Sequence, residues 1–217
     1  QTPCEVLSPM SHARYTHTSC YLNNYVYVMG GRYYGNGQNG VLDHCERYNL
    51  VKKEWQTIAP LKTKRCTAAA TTYMNRVYIF GGYRGDGRVK TVERYNEVLN
   101  EWETVPLLLT YPIEAEAAIQ VSKKEIILFG GKDDFAEQAY VTVYDVERLT
   151  VVQENPLKWK RILCKSAIYK DEIFIIGGNS AMNCEKAKIG EWNWETFTSY
   201  SSLVANNLAK YAAAQGR

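Results

Sequence analysis

Four apolar runs of five residues recur along the chain: Tyr25 to Met29 (YVYVM), Arg76 to Phe80 (RVYIF), Glu125 to Phe129 (EIILF) and Glu172 to Ile176 (EIFII). Runs this short, rich in β-branched and aromatic residues, predict buried β-strands. Each runs straight into a glycine pair: Gly30-Gly31, Gly81-Gly82, Gly130-Gly131 and Gly177-Gly178. Successive pairs lie 51, 49 and 47 residues apart. A strand that ends in glycine at a period near 50 predicts a repeat architecture.

Other positions repeat with the glycines. A tyrosine follows each of the first three pairs (Tyr48, Tyr95, Tyr144), and Trp55 and Trp102 lie seven residues beyond the first two, within YNLVKKEW and YNEVLNEW. The third repeat has Val151 there. Pro-Leu comes next (Pro60-Leu61, Pro106-Leu107, Pro156-Leu157), then a basic residue and a strand of small residues. Examples are Arg65 with Ala68 to Ala70, Arg161 with Ser166-Ala167, and Arg14 with Ser19-Cys20. The third copy keeps Ala117-Ala118 but has Glu114 near the arginine place. In the fourth repeat Ile189 takes the tyrosine place, and Trp194 follows after five residues, with Trp192 and Trp194 on one face of an outer strand from Glu191 to Phe197.

These features resemble the Kelch repeat, and Val92 to Trp102 (VERYNEVLNEW) is similar to the repeats of BTB–Kelch proteins. The resemblance implies an all-β fold, a Kelch-type β-propeller of four-stranded antiparallel blades. Four blades are expected at about 11–60, 61–106, 107–156 and 157–200 of one propeller domain or a fragment of one. Residues 1–10 match the end of a preceding blade, with Pro9-Met10 in the Pro-Leu place, and residues 201–217 match the start of another blade or a short helix. A larger propeller, of which these blades are part, is the expectation. The glycines let the chain take backbone angles closed to other residues. The tyrosines and tryptophans fill the wedge between diverging blades. Gly30, Gly31, Gly81, Gly82, Gly130, Gly131, Gly177, Gly178, Tyr48, Tyr95, Tyr144, Trp55, Trp102 and Trp194 are therefore expected to serve packing.

Charge and composition narrow the function. With 26 Lys+Arg against 23 Asp+Glu the net charge is +3, too balanced for a nucleic-acid surface. No apolar run approaches the roughly 18 residues of a membrane span, and Gln1 to Pro9 lacks the pattern of a signal peptide. The six cysteines, at 4, 20, 45, 66, 164 and 184, form no CxxC pair and read as reduced, mostly buried thiols of an intracellular, cytoplasmic protein. Gly81 to Gly87 (GGYRGDG) lacks the lysine and helix of a phosphate loop. Lys132-Asp133-Asp134 lacks the spaced acids of a calcium loop. Three histidines, His12 and His17 flanking the first strand of blade one and His44 on its third strand, do not build the metal site of a galactose-oxidase-like enzyme. No catalytic constellation and no cofactor is expected.

In Kelch propellers the loops after the glycine pairs and those between blades line one face. Mapped onto this sequence, they offer Arg32, Tyr33 and Tyr34; Tyr83 and Arg84; Lys132, Asp133 and Phe135; Asn179; and the inter-blade Arg14, Arg65 and Arg161. Arginine and tyrosine dominate interface hot spots, and arginine grips carboxylates with two parallel bonds. A protein partner or acidic peptide is expected there. For Arg14, Arg65 and Arg161 a second role competes, bridging neighbouring blades. The resemblance implies a non-enzymatic scaffold, read as the substrate-recognising part of a ubiquitin-ligase adaptor, or else as a component of a cytoskeletal, ciliary or other assembly.

Overall fold

A computed structural model describes residues 5–35, 38–114, 116–178 and 183–199. Asn179, Cys4 and the segment 201–217 lie outside the described residues. Among the described residues, regular structure is entirely β-strand, and no helix is long and apolar enough to cross a membrane. The chain divides into two compact units, Gln1–Glu114 and Ala115–Arg217. Each holds two four-stranded antiparallel blades of the expected β-propeller type.

Blade 1 contains β1 (Thr18–Leu22), β2 (Tyr25–Met29), β5 (Cys45–Asn49) and β6 (Glu54–Ile58), paired in that order. Between its second and third strands a separate hairpin is inserted, β3 (Arg32–Gly35) with β4 (Gln38–Val41). Blade 2 is β7 (Ala69–Tyr73), β8 (Arg76–Phe80), β9 (Thr91–Asn96) and β10 (Glu101–Leu108). In unit 2, blade 3 is β11 (Ala117–Gln120), β12 (Glu125–Phe129), β13 (Val141–Asp145) and β14 (Thr150–Gln153). Blade 4 is β15 (Lys165–Tyr169), β16 (Glu172–Ile176), β17 (Asn183–Lys188) and β18 (Glu195–Ser199). The four apolar runs are the second strands, with the bounds the periodicity predicts.

Register shows which positions correspond between blades. Tyr25 faces Asn49, Glu125 faces Asp145 and Glu172 faces Lys188, so Tyr48, Tyr144 and Ala187 are equivalent. The tyrosine place of blade 4 is thus Ala187, not Ile189. Trp194 follows it by the same seven residues that separate Tyr48 from Trp55. The expected strand from Glu191 is also shorter: Trp192 has φ 51° and β18 begins only at Glu195. At the end of blade 2 the leucine place shifts as well. Leu61, Leu109 and Leu157 are each buried and each donate an N–H back to a carbonyl of the third-strand approach, namely Asp43, Lys90 and Ala139. Leu109, rather than Leu107, is the repeat leucine, because β10 carries a register irregularity between Thr104 and Leu108 that holds Pro106. Proline lacks an amide donor and is tolerated in strands at such bulges.

Side chains alternate across each sheet, so one face of a blade packs on the opposite face of its neighbour. In unit 1, Tyr27 and Met29 of blade 1 meet Val77 and Ile79 of blade 2, with Tyr95 and Trp102 completing the cluster. In unit 2, Ile127 and Phe129 meet Ile173 and Ile175, with Trp194 beside them. Tyr48 and Tyr95 lie 5.2 and 5.3 Å from Trp55 and Trp102. Each indole donates its N–H to the carbonyl just before the Pro-Leu place: Trp55 to Ser8, Trp102 to Ala59 and Trp194 to Asn155. A polar handle satisfied inside an apolar wedge is what a buried tryptophan requires. The residues of blade 4 in register with Tyr27 and Met29 are Phe174 and Ile176. Tyr27 and Met29 are sealed, whereas Ile176 and the neighbouring Phe197 are 43% and 42% exposed.

The glycine pairs do more than relax backbone angles. Gly30 has φ +59° and Gly31 +105°, and a Cβ on Gly30 would collide with the Arg65 carbonyl. That same carbonyl accepts the Gly31 N–H at 2.9 Å. The contact recurs from Gly82 to Ile113 and from Gly131 to Arg161, both at 2.8 Å. The first three pairs therefore let a second strand end flush against the loop that follows its blade.

Candidate functional site: a basic cleft beside buried arginines

The inter-blade arginines form a repeated device. Arg14, Arg65 and Arg161 each donate to the carbonyl of the first glycine sixteen residues on: Gly30, Gly81 and Gly177. Each also donates to a carbonyl just before or at the third strand (His44, Thr91, Asn183) and to a glutamate on it (Glu46, Glu93, Glu185). Arg14 meets Glu46 at 2.6 Å and Arg65 meets Glu93 at 2.5 Å. The side chains of all three arginines are fully buried. The glutamates in turn accept backbone N–H groups from the preceding loop: Ser11 on Glu46, Lys62 and Thr63 on Glu93, Lys158 and Trp159 on Glu185. Buried ions must be paired and multiply hydrogen-bonded to be tolerated, and these are. Each guanidinium ties the loop that opens a blade to the second and third strands of that same blade, and none faces solvent; only the main chain of Arg65 and Arg161 reaches the preceding blade, where their carbonyls meet Gly31 and Gly131. The glutamate partners are visible in the sequence as Glu-Arg-Tyr at 46–48 and 93–95, a repeat that runs two residues ahead of the tyrosine place.

Blade 3 lacks both members. Counting four residues back from the first strand (Thr18, Ala69, Ala117, Lys165) gives Arg14, Arg65, Ile113 and Arg161. Counting two back from the tyrosine place gives Glu46, Glu93, Thr142 and Glu185. The arginine place is therefore Ile113, not Glu114. Arginine and glutamate are replaced together, as expected where a lone buried charge is prohibitive. Glu114 turns instead to Thr67 and Arg88, at 2.8 and 2.7 Å.

Next to these buried groups lies an open cleft of about 420 Å3 in unit 1, lined by Arg32, Gly40, Val41, Lys64, Tyr83, Arg84, Gly85 and Asp86. Three of the loop residues expected to bind a partner, Arg32, Tyr83 and Arg84, converge here. The inserted hairpin supplies Arg32 and Val41, the loop after Gly82 supplies Tyr83 to Asp86, and the inter-blade loop supplies Lys64. Arg32 lies over the Tyr83 ring at 5.3 Å and, among the described residues, spends only its Nε, on Cys66 Sγ at 3.3 Å. The Tyr83 hydroxyl donates to the Gly85 carbonyl at 2.6 Å, and Arg84 pairs with Asp86 at 2.7 Å. Lys64 is exposed while the adjacent Arg65 is buried, so one short loop presents a cation to solvent and spends the next one on Glu93 inside blade 2. The run Lys62-Thr63-Lys64-Arg65 was the sequence signal for Lys64.

The other expected partner-binding residues are elsewhere. Tyr33 is half-buried, its hydroxyl beside Gly35, and Tyr34 stands out at 76% exposure. In unit 2, Asp133 is buried and faces inward, accepting from the N–H groups of Phe135 and Ala136 and from Gln138 and Tyr140. Burial pushes its carboxyl upward, but these four bonds more than offset it and hold it below its usual range. The result is a stiff loop with Lys132 exposed and Phe135 94% exposed at its tip.

The fold also brings two histidines together with a carboxylate. His12, His44 and Glu46 bring their ligand atoms within 4.8 Å of one another. His44 lies just before β5 rather than on it. The Arg14 guanidinium is 2.6 Å from both His44 Nδ1 and Glu46 Oε1. That fixed cation occupies the place a metal ion would need. Burial, together with the Arg14 charge, pushes the His44 imidazole below its usual range. The five described cysteines are free, and burial raises Cys20 and Cys45 to about 12 and Cys164 to about 11, which makes them poor nucleophiles.

Comparison with known proteins agrees with this fold. The model of the KLHDC2/KLHL20/DRC7 Kelch-repeats domain matches residues 2–178. Kelch-like protein 25 from Xenopus tropicalis is 25% identical over 209 residues, covering 92% of this chain and 35% of the relative. The Homo sapiens protein of that name is 29% identical over 208 residues, covering 90% and 35%. The chain thus spans about a third of the length of these relatives. Among solved structures, "Structure of YjhT" superposes with a TM-score of 0.77 at 13% identity, covering 91% of this chain and 69% of that one, a likeness of fold alone. With its blades in a common register and most of its length matched by that domain model, the chain belongs to the Kelch-repeat family.

Proposed function

We propose that the chain is a non-enzymatic, intracellular protein-interaction scaffold that engages an acidic segment of a partner in the unit 1 cleft. The observation that carries this is the convergence of Arg32, Lys64, Tyr83 and Arg84 on one concavity with a single carboxylate, Asp86. Arg32 and Arg84 each spend only Nε in the contacts described, which leaves their terminal amino groups facing an incoming carboxylate. The family supports the adaptor version, in which this face selects substrates for a ubiquitin ligase. The rigidly held Phe135 is a second contact for the same kind of partner. The alternative is a component of a cytoskeletal or ciliary assembly. Association of the full-length protein with a cullin scaffold supports the first, and its absence favours the second. The uncovered face of Ile176 and Phe197 supports a larger propeller, with a further blade packed on blade 4 as blade 2 packs on blade 1.

The test uses a fluorescein-labelled peptide of alternating Glu and Asp. It should bind the wild-type chain with an affinity that falls steeply with salt. Joint replacement of Lys64 and Arg84 by alanine should weaken binding roughly tenfold, with melting almost unchanged because both side chains are exposed. Affinity unaltered by that double replacement rejects the cleft.

A further inference from the structure

The cleft's charge is specific enough to name the acid it suits. Three cations, Arg32, Lys64 and Arg84, face one carboxylate, Asp86, so the lining carries a net charge of +2. A side-chain carboxylate brings one negative charge; a phosphoryl group brings about −1.5 to −2 and three acceptor oxygens. The donors are also arranged for more than one oxygen. Arg32 is pinned at Nε by Cys66 and steadied over the Tyr83 ring, and Arg84 is pinned at Nε by Asp86. The Arg32 amino pair is thereby pre-oriented, which lowers the entropy lost on binding, while Arg84 supplies a further cation at the exposed rim. Glycines at 40 and 85 keep that part of the wall free of side chains: a Cβ on Gly40 would meet nothing within 4 Å, and one on Gly85 only Val41 at 3.7 Å. About 420 Å3 admits one phosphorylated side chain with a short stretch of backbone.

We propose that the unit 1 cleft recognises a phosphorylated peptide, with Arg32, Lys64 and Arg84 clamping the phosphoryl group and Tyr83 forming the wall. The proposal rests on the reading of the cleft as the partner site and narrows it.

The experiment compares three peptides, Ala-Gly-X-Gly-Ala with X as phosphoserine, glutamate or serine, and inorganic phosphate. Each is titrated to about 1 mM against the wild-type chain and the Lys64→Ala/Arg84→Ala variant, followed by backbone amide shifts of residues 83–88. The phosphoserine peptide should bind roughly tenfold tighter than the glutamate peptide and tighter than phosphate alone, with the preference lost in the variant. Equal affinity for phosphoserine and glutamate overturns the phosphoryl preference and leaves the acidic-segment reading standing. Phosphate binding as tightly as the phosphopeptide marks a free-anion site and overturns the peptide claim. Binding that survives in the variant moves the site elsewhere, and no response to any probe removes both readings.

Discussion

Arg65→Ala should lower the stability of the chain by about 3–5 kcal/mol, a melting shift on the order of 10 °C. The substitution leaves the Glu93 carboxylate fully buried without its cation and strips donors from the Gly81 and Thr91 carbonyls. The side chain is not exposed, so partner binding by the fraction that remains folded should be unchanged. Blade 3 supplies the control, since Ile113 and Thr142 stand where the other blades have arginine and glutamate. The double variant Arg65→Ile/Glu93→Thr should be more stable than Arg65→Ile alone, a coupling of about 2 kcal/mol. Denaturant melts of the two single variants and the double one measure it. Additive losses would mean that the ion pair is not the unit that matters in this blade.

The second large effect lies at Glu116, which is buried beside β11 with Oε1 unpartnered among the described residues. Burial raises its carboxyl from 4.5 to about 8. The folded chain therefore keeps this proton through a range in which the unfolded chain sheds it. Below pH 4.5 the group adds no penalty; as pH climbs from 4.5 to about 8 stability is lost, and above 8 the loss levels off at about 4–5 kcal/mol. Glu116→Gln keeps the shape and removes the titration. It should match the wild type near pH 4.5 and be more stable by several kcal/mol at pH 9. His44, pushed down, works in the opposite direction: its contribution is present above its unfolded value of 6.5 and fades as pH falls through the lower folded value. The difference between wild type and Glu116→Gln cancels that background. Parallel pH curves for the two proteins would show that Glu116 is solvated.

The blades were legible because their signals are local and repeated. An apolar run closed by two glycines marks a second strand whatever surrounds it, and all four were found with their bounds. What misled was counting along loops. Ile189 sits where a tyrosine would fall if blade 4 had a longer loop, but the pairing of Glu172 with Lys188 makes Ala187 the equivalent residue. Likewise Leu109 replaces Leu107 because β10 absorbs extra residues at its irregularity, which no spacing rule anticipates. The arginines were found but their direction was not, since a charged loop residue is more often solvated than buried. Only their glutamate partners, carried by the third strands, decide it. Lys64 and Arg65 are alike in charge and adjacent in sequence, and only the fold turns the first to solvent and the second inward. The inserted hairpin, which carries Arg32 and Val41 to the cleft, is reduced to single bridges in blades 2 and 3, Tyr83 with Arg88 and Lys132 with Glu137, and left no periodic trace.

The central claim is that the partner face is the cleft between the inserted hairpin and the Tyr83 loop. Hydrogen exchange of the backbone amides, with and without the alternating Glu/Asp peptide, tests it most directly. The expected result is slowed exchange confined to Arg32–Gly35, Gly40–Val41, Lys64 and Tyr83–Arg88. Protection centred instead on the loop around Phe135 or on the outer strands of the blades would contradict it.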